Sequence, residues 1–365
     1  MQASVNSLLL PTSHHSVIRI ALRRHRLFSA TVSALCALCL MLGVPASVSA
    51  APQAAAGQPE VTTLRYQGWS GSVLFPELAE DLGYLAPLKL DWVGNTISGP
   101  QDIQSVVTRD VDFGGAFNGS VDKLIVAGAP IKAVLSYTGT DAESFSGVYV
   151  AQDSKIQSPR DLIGKKIGVN TLGAFNEWLV TDYLLKNGLT PDEIKRITLV
   201  AAPPVNEYQL LKAGQIDAAV LQDVVRLKAL ELGGIRPLFT DYQFLGSYSY
   251  ATYVLRSDFI AHNPIAARKF VDGTARAIEW ARTHPRDEVV ARLRTIVAKR
   301  HRNEDPTIVS YWHSTGVSRA GGLLDDSDFT VFSDWYIKTG ALKPGQFDVK
   351  QAYTNEFNPY RSIPH

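Results

Sequence analysis

The stretch from Ser158 to Ile194, SPRDLIGKKIGVNTLGAFNEWLVTDYLLKNGLTPDEI, contains one strand–loop–helix unit. Ser158-Pro159 offers an N-cap hydroxyl and an N1 proline to a helical turn. Lys166 to Val169 is a short β-rich run. Ala174 to Asn187 reads as a helix, with Phe175, Leu179 and Tyr183 at i, i+4, i+8 forming one buried stripe. Gly188 stops it, and Thr190-Pro191-Asp192-Glu193 opens the next turn. The pattern then continues: strand Ile197 to Val200, helix Val205 to Ala213, strand Ala218 to Leu221, helix Asp223 to Glu231.

A similar series precedes it. Strands are expected at Thr62–Tyr66, Leu88–Val93, Asp112–Gly114 and Ile131–Ser136, with helices at Val73–Leu82, Gln101–Thr108 and Val121–Ala127. Repeated β-α-β order with short links implies a parallel sheet covered on both faces. Two such series in one chain imply two α/β lobes. The β-rich segments Tyr137–Val150 and Gly246–Val254 are the expected crossovers. Residues 61–147 and 250–365 would then form lobe one, and 148–249 lobe two. Asn263 to Pro359 reads as mainly helical, packed back on lobe one. Trp280, Trp312 and Trp335 read as packing residues there, and Lys299-Arg300-His301-Arg302 as the solvated end of a helix.

The first fifty residues differ from the rest. Arg19, Arg23, Arg24 and Arg26 precede an apolar stretch from Leu27 to Val44, and Val48-Ser49-Ala50 supplies small residues for cleavage. That is the order of a secretory signal peptide, expected to be cut after Ala50. Its densest apolar core, Ala34 to Val44, is short for a bilayer span, which needs about 20 residues. Arg23-Arg24 is a twin-arginine pair followed by residues that match the Tat pattern poorly, so the export route is left open. Residues 51–60, rich in Pro, Ala, Gly and Gln, read as a flexible tether.

Removing the leader leaves 32 basic and 35 acidic residues among 315, and takes away both cysteines, Cys36 and Cys39. The product is therefore slightly acidic, which argues against nucleic acid as a partner, and has no thiol, disulfide or Cys-ligated metal. A hydrophobic content of 45% and a charged content of 19% exclude disordered, collagenous and polytopic membrane classes.

In open parallel sheets, ligands sit beyond the carboxyl ends of strands, where helix N-termini point free N–H groups. Four loops occupy such places: Gln67–Ser72, Gly94–Gly99, Gly114–Ser120 and Asn170–Phe175. They are rich in Gly, Ser, Thr and Asn, and none carries a charged residue or a histidine. Glycines admit close backbone approach, hydroxyls and amides give neutral hydrogen bonds, and aromatics wall off an apolar portion. The same residues also make ordinary turns and caps.

Searches for catalysis fail. Ser120-Val121 stands where a P-loop requires Lys-Ser/Thr, and there is neither a G-x-G-x-x-G nor a G-x-S-x-G. His262, His284, His301, His313 and His365 have no metal-ligand spacing. No catalytic residue, metal or cofactor is expected. Asp223 is read chiefly as a helix cap, and Asp141 and Glu143 as solvated crossover acids that could meet a cationic group.

The segments LRYQGWSGSVLFPELAEDLGYL, VDFGGAFNGSVDKLIVAGAPIKAV, the Ser158–Ile194 stretch and VNEYQLLKAGQIDAAVLQDVV together resemble the periplasmic substrate-binding proteins of nitrate, taurine and aliphatic sulfonate ABC importers. The resemblance runs from about Val61 to Pro359. Its most specific parts are Asp161–Val169 and Leu211–Ala218. It implies a type II periplasmic binding fold of two α/β lobes, two crossover strands and a cleft that closes on ligand. It further implies a periplasmic, monomeric, non-enzymatic protein that delivers a small organosulfonate or similar oxyanion to a membrane permease and its ATPase. The positions that match the relatives' ligand loops are Trp69, Ser70, Gly71 and Ser72; Phe117, Asn118 and Gly119; Thr171, Gly173, Ala174 and Phe175; and Gln222 and Asp223. The chain departs from its relatives at Leu172–Phe175, where they often have a Ser-rich helix start, and at Gln222-Asp223-Val224, where they often have Trp-Asp-Pro. Rival readings are a binding protein for a pyrimidine or other heteroaromatic precursor, and a periplasmic sensor. The related thiamin-pyrimidine synthases resemble a poorer match, because their Cys-rich iron motif has no counterpart after the leader.

Overall fold

The computed structural model describes residues 57–302 and 304–362. The leader and residues 51–56 of the tether lie outside them. Among the described residues ten strands form: β1 (Thr63–Gly68), β2 (Lys89–Asn95), β3 (Phe113–Phe117), β4 (Ile131–Thr140), β5 (Gly147–Ala151), β6 (Lys166–Val169), β7 (Thr198–Ala201), β8 (Ala218–Leu221), β9 (Ile235–Thr240) and β10 (Tyr248–Arg256).

One sheet has the order β7-β6-β8-β5-β9, another β3-β10-β4, and β1 pairs with β2 in parallel. The β1–β2 pair joins β3 through Asp112, whose N–H donates to the Arg65 carbonyl (2.9 Å) and whose carboxylate accepts the Arg65 N–H (2.8 Å). The two halves therefore repeat one pattern, β2-β1-β3-β10-β4 and β7-β6-β8-β5-β9. In each, the strand inserted antiparallel is the first after a crossing: β5 follows residues 141–146 and β10 follows 241–247. The expected parallel strands are present, and each set is interrupted by one strand arriving from the other half.

The Phe175–Lys186 helix shows how the elements are held. Its N-cap, Ala174, has no side chain to cap with, so propensity at that end is weak. Trp178, Leu179, Val180 and Leu184 are fully buried along it. Burying side chains of that size stabilises by about 1.5–3 kcal/mol each, well above the roughly 1 kcal/mol of a cap. Packing thus decides this helix. It faces the same core as Val148, Val150, Ile167, Val169 and Val220.

Three features depart from the sequence reading. β9 was not anticipated, because Pro237 and the preceding Gly233-Gly234 argue against a strand. It forms at the sheet edge, where a missing N–H costs no ladder bond. A third pass of chain also runs along the crossovers: Ser314 Oγ donates to Asp141 Oδ2 (2.7 Å) and the Ser318 N–H to Ser249 Oγ (3.1 Å). Gly139 and Gly316 meet there so closely that a Cβ on Gly139 would lie 2.3 Å from the Gly316 carbonyl oxygen. The third departure is a correction. Arg300 and Arg302 are not a solvated helix end; their side chains are only 7% exposed and pair with buried glutamates. Burial of a guanidinium is tolerated only with such partners, and Glu77, which both arginines share, is more than 220 residues away in sequence. Of the three tryptophans, Trp335 is buried, and Trp280 and Trp312 are half-buried against the core.

Candidate functional site

The loop after β1 carries Trp69, Ser70, Gly71 and Ser72. Trp69 is half-buried against the core, while Ser70 and Ser72 are exposed. Gly71 sits at φ +76°, which glycine adopts without strain. Its N–H donates to Glu304 Oε1 at 3.1 Å. Glu304 Oε2 in turn accepts from Arg300 Nε (2.6 Å), and Arg300 reaches Glu77 (3.0 Å). Glu77 also accepts the Tyr66 hydroxyl (2.6 Å) and the Leu74 N–H (2.9 Å), and Arg302 lies 3.0 Å from it. A buried network of two arginines and two glutamates therefore lies beneath this loop.

The loop after β6 is completed differently. Thr171 is half-buried, and its hydroxyl donates to the Asn170 carbonyl (2.8 Å). Gly173, at φ +72°, gives its N–H to Glu177 Oε2 (2.8 Å), one helical turn on. Ala174 and Phe175 are buried, and the Phe175 ring stacks on Tyr250 with centroids 4.1 Å apart. Phe117, after β3, meets the edge of Phe175 at 5.8 Å and of Phe332 at 4.4 Å. Phe117 and Phe175 are thus brought together, as a packed seam between the halves and with little surface left for a ligand. Asn118 is fully buried and donates to the Asp328 carbonyl (2.8 Å), and Gly119 leaves room for the Phe117 ring.

Gln222 is half-buried, and its Oε1 is a buried acceptor with no partner. Asp223 is exposed, and it does not cap the helix that it opens. The N-cap position belongs to Gln222, and no side-chain capping bond forms. The cause is the backbone: Asp223 has φ +46°, a region costly for a residue with a Cβ. That conformation turns its carboxylate toward the first crossover, where Ser144 Oγ donates to it at 3.3 Å. Burial among surrounding protein atoms pushes the Asp223 carboxyl above its usual range, against the lowering effects of Ser144 and Arg226. Asp141 instead holds the crossover turn, accepting the Glu143 and Ser144 N–H groups at 2.8 Å each, and Glu143 is exposed.

Three residues that sequence reasoning did not select are Tyr137, Tyr250 and Asp102, and the Asp223 charge acts on the first two. Burial first, then the charges of Asp102 and Asp223, raises the Tyr137 phenol. Burial, then Asp223 and Asp241, raises that of Tyr250. Tyr137 stacks on Tyr253 at 4.3 Å, and its ring would lie 2.7 Å from a Cβ at Gly115. Asp102 accepts the Gly115 N–H at 2.7 Å; its other oxygen is buried without a partner, and burial pushes the carboxyl up to about 7. The Gly114-Gly115 pair was the available signal, since a double glycine inside a strand marks close approach of other groups. In the loops after β1 and β6, the Gly71 and Gly173 N–H groups already hold the chain's own carboxylates. Asp223 remains exposed.

The chain is 25% identical over 301 residues to the 4-amino-5-hydroxymethyl-2-methylpyrimidine phosphate synthase of Candida albicans, covering 77% of this chain and 82% of that protein. Its fold is similar to that of the alkanesulfonate-binding protein SsuA from Xanthomonas axonopodis pv. citri, with a TM-score of 0.62 at 20% identity over 81% of this chain and 99% of that one. The periplasmic nitrate-binding protein NrtA from Synechocystis PCC 6803 is similar too, with a TM-score of 0.63 at 15% identity over 82% and 88% of the respective chains. These likenesses establish the two-lobed type II periplasmic binding fold. Residues 78–288, more than half of the 365-residue chain, match the family described as "NMT1/THI5 like", and the chain belongs to that family.

Proposed function

We propose that this chain is the exported substrate-binding component of a membrane importer, and that its cleft takes a small, flat, nitrogen-bearing ligand of the aminopyrimidine class. The leader would be removed near Ala50, and the monomeric protein would work in the periplasm with a permease and its ATPase. Residues 61–147 and 250–365 would move as one lobe against 148–249. A ligand touching both lobes binds the closed form better and draws the protein to it.

The observation that carries the ligand class is Asp223. An exposed carboxylate on strained backbone suits an amino or protonated ring nitrogen, and the half-buried Tyr137 ring would offer an apolar surface to a flat ligand. The pyrimidine named in the Candida relative's description has such groups. The oxyanions named for the solved relatives need free donors, and here Gly71 and Gly173 already give theirs to glutamates. Ser70, Ser72, Thr171 and Gln222 remain to serve a ligand's polar edge, with Trp69 at the rim. A binding role rather than an enzymatic one is favoured by the chain's lack of cysteine after the leader.

Calorimetric titration with 4-amino-5-hydroxymethyl-2-methylpyrimidine, taurine and ethanesulfonate tests this. The wild type is expected to bind the pyrimidine. Asp223→Asn should weaken that binding about tenfold to a hundredfold, the worth of one charge-assisted hydrogen bond. Sulfonate binding without pyrimidine binding would return the ligand class to the oxyanions.

A further inference from the structure

The Glu304 carboxylate occupies a pocket with the chemistry of an oxyanion site. One oxygen takes the Gly71 N–H and the other takes Arg300 Nε. Arg300 Nη2 is buried beside them without a partner among the described residues, on a side chain that is 7% exposed. Nε and Nη2 form one edge of the guanidinium, the edge that grips carboxylates and sulfonates in a bidentate manner. The pocket thus offers more donor capacity than Glu304 uses. Its charges balance as they stand, Arg300 and Arg302 against Glu77 and Glu304. Removing one glutamate would leave a net positive, preformed hollow beneath the loop after β1.

We infer that Glu304 is a specificity-determining residue, an internal anion that fills this seat and so bars external carboxylates and sulfonates from the loop. It acts by occupancy and by repulsion, as a group built against the wrong ligand rather than for the right one. Gly71 belongs to the same arrangement. At φ +76°, with Ile308 3.1 Å from where a Cβ would stand, it brings its N–H to the seat in a conformation that other residues adopt only with strain. The exclusion rests on the reading of the inter-lobe cleft as the ligand site, whereas the seat itself does not.

The test is rescue by a small anion. The full exported chain carrying Glu304→Gly is melted in sodium acetate or methanesulfonate against sodium chloride at equal ionic strength. Acetate should raise its Tm by a few degrees, saturably, because a ligand that binds only the folded state stabilises it by mass action. The wild type should show no difference between the salts. If the variant does not fold unaided, the yield of soluble protein on refolding in acetate against chloride reads the same seat. Equal behaviour in acetate and chloride by either readout would overturn the proposal, as would saturable methanesulfonate binding by the wild type. Rescue without pyrimidine binding would refute only the ligand class proposed above. Pyrimidine binding without rescue would refute only the seat.

Discussion

The loops 69–72 and 171–174 end equivalent strands, β1 and β6, and each gives a glycine N–H to a glutamate. The glutamate differs in origin. Glu177 lies four residues beyond Gly173, is half-exposed and answers a local need of its own helix. Glu304 lies 233 residues beyond Gly71, is 5% exposed and belongs to a buried network with Arg300, Glu77, Tyr66 and Arg302. One loop is finished by its own helix. The other is finished by the C-terminal part of the chain, which also reaches the second half through the Tyr311 hydroxyl to Glu231. A loop composition that looks open to anions in sequence can therefore be closed by chemistry supplied from far away.

The sharpest way to break this comparison is to delete each glutamate in turn. Glu304→Ala leaves Arg300 buried with too few partners, and breaking one side of a buried pair costs about 3–5 kcal/mol. Glu177→Ala removes a partly exposed capping interaction worth about 1 kcal/mol. Urea denaturation of both variants measures the difference, and equal losses would show that the network around Arg300 is not what fixes the first loop.

Glu207 sharpens the comparison from the other side, as a buried glutamate to which no donor comes. It is 1% exposed, Oε1 has no partner, and burial pushes its carboxyl up to about 8 from an ordinary 4.5. Between those values the folded protein keeps a proton that the unfolded chain has released. Glu207 therefore contributes stability below pH 4.5 that is lost as pH rises toward 8, at up to about 1.4 kcal/mol per pH unit. Glu207→Gln should match the wild type near pH 4.5 and be the more stable protein at pH 8. Parallel stability curves for the two would contradict this.

The parts of the molecule legible in its sequence are those set by neighbours along the chain. Phe175, Leu179 and Tyr183 mark their helix because periodicity is local, and β6 and β8 stand where β-rich runs end at glycine or polar residues. What stayed hidden depends on contacts between distant residues. Pro237 disguised β9, since sequence does not say which strand lies at an edge. Lys299–Arg302 looked like a solvated charge run because Glu77 meets it only in space. Asp223 looked like a cap because its φ of +46° is set by packing at the crossover. Phe117 and Phe175 pack in the seam between the halves, while the surroundings of Tyr137, Tyr250 and Asp102 emerged only in the folded chain.

The central claim is that the cleft receives a nitrogen-bearing ring through Asp223 while glutamates exclude oxyanions. Native mass spectrometry of the exported wild-type protein, purified without denaturation, tests it most directly through the small molecule released. A neutral or basic nitrogen heterocycle, absent from a parallel preparation of Asp223→Asn, is the predicted result. An alkanesulfonate, taurine or nitrate carried by both proteins would contradict the account.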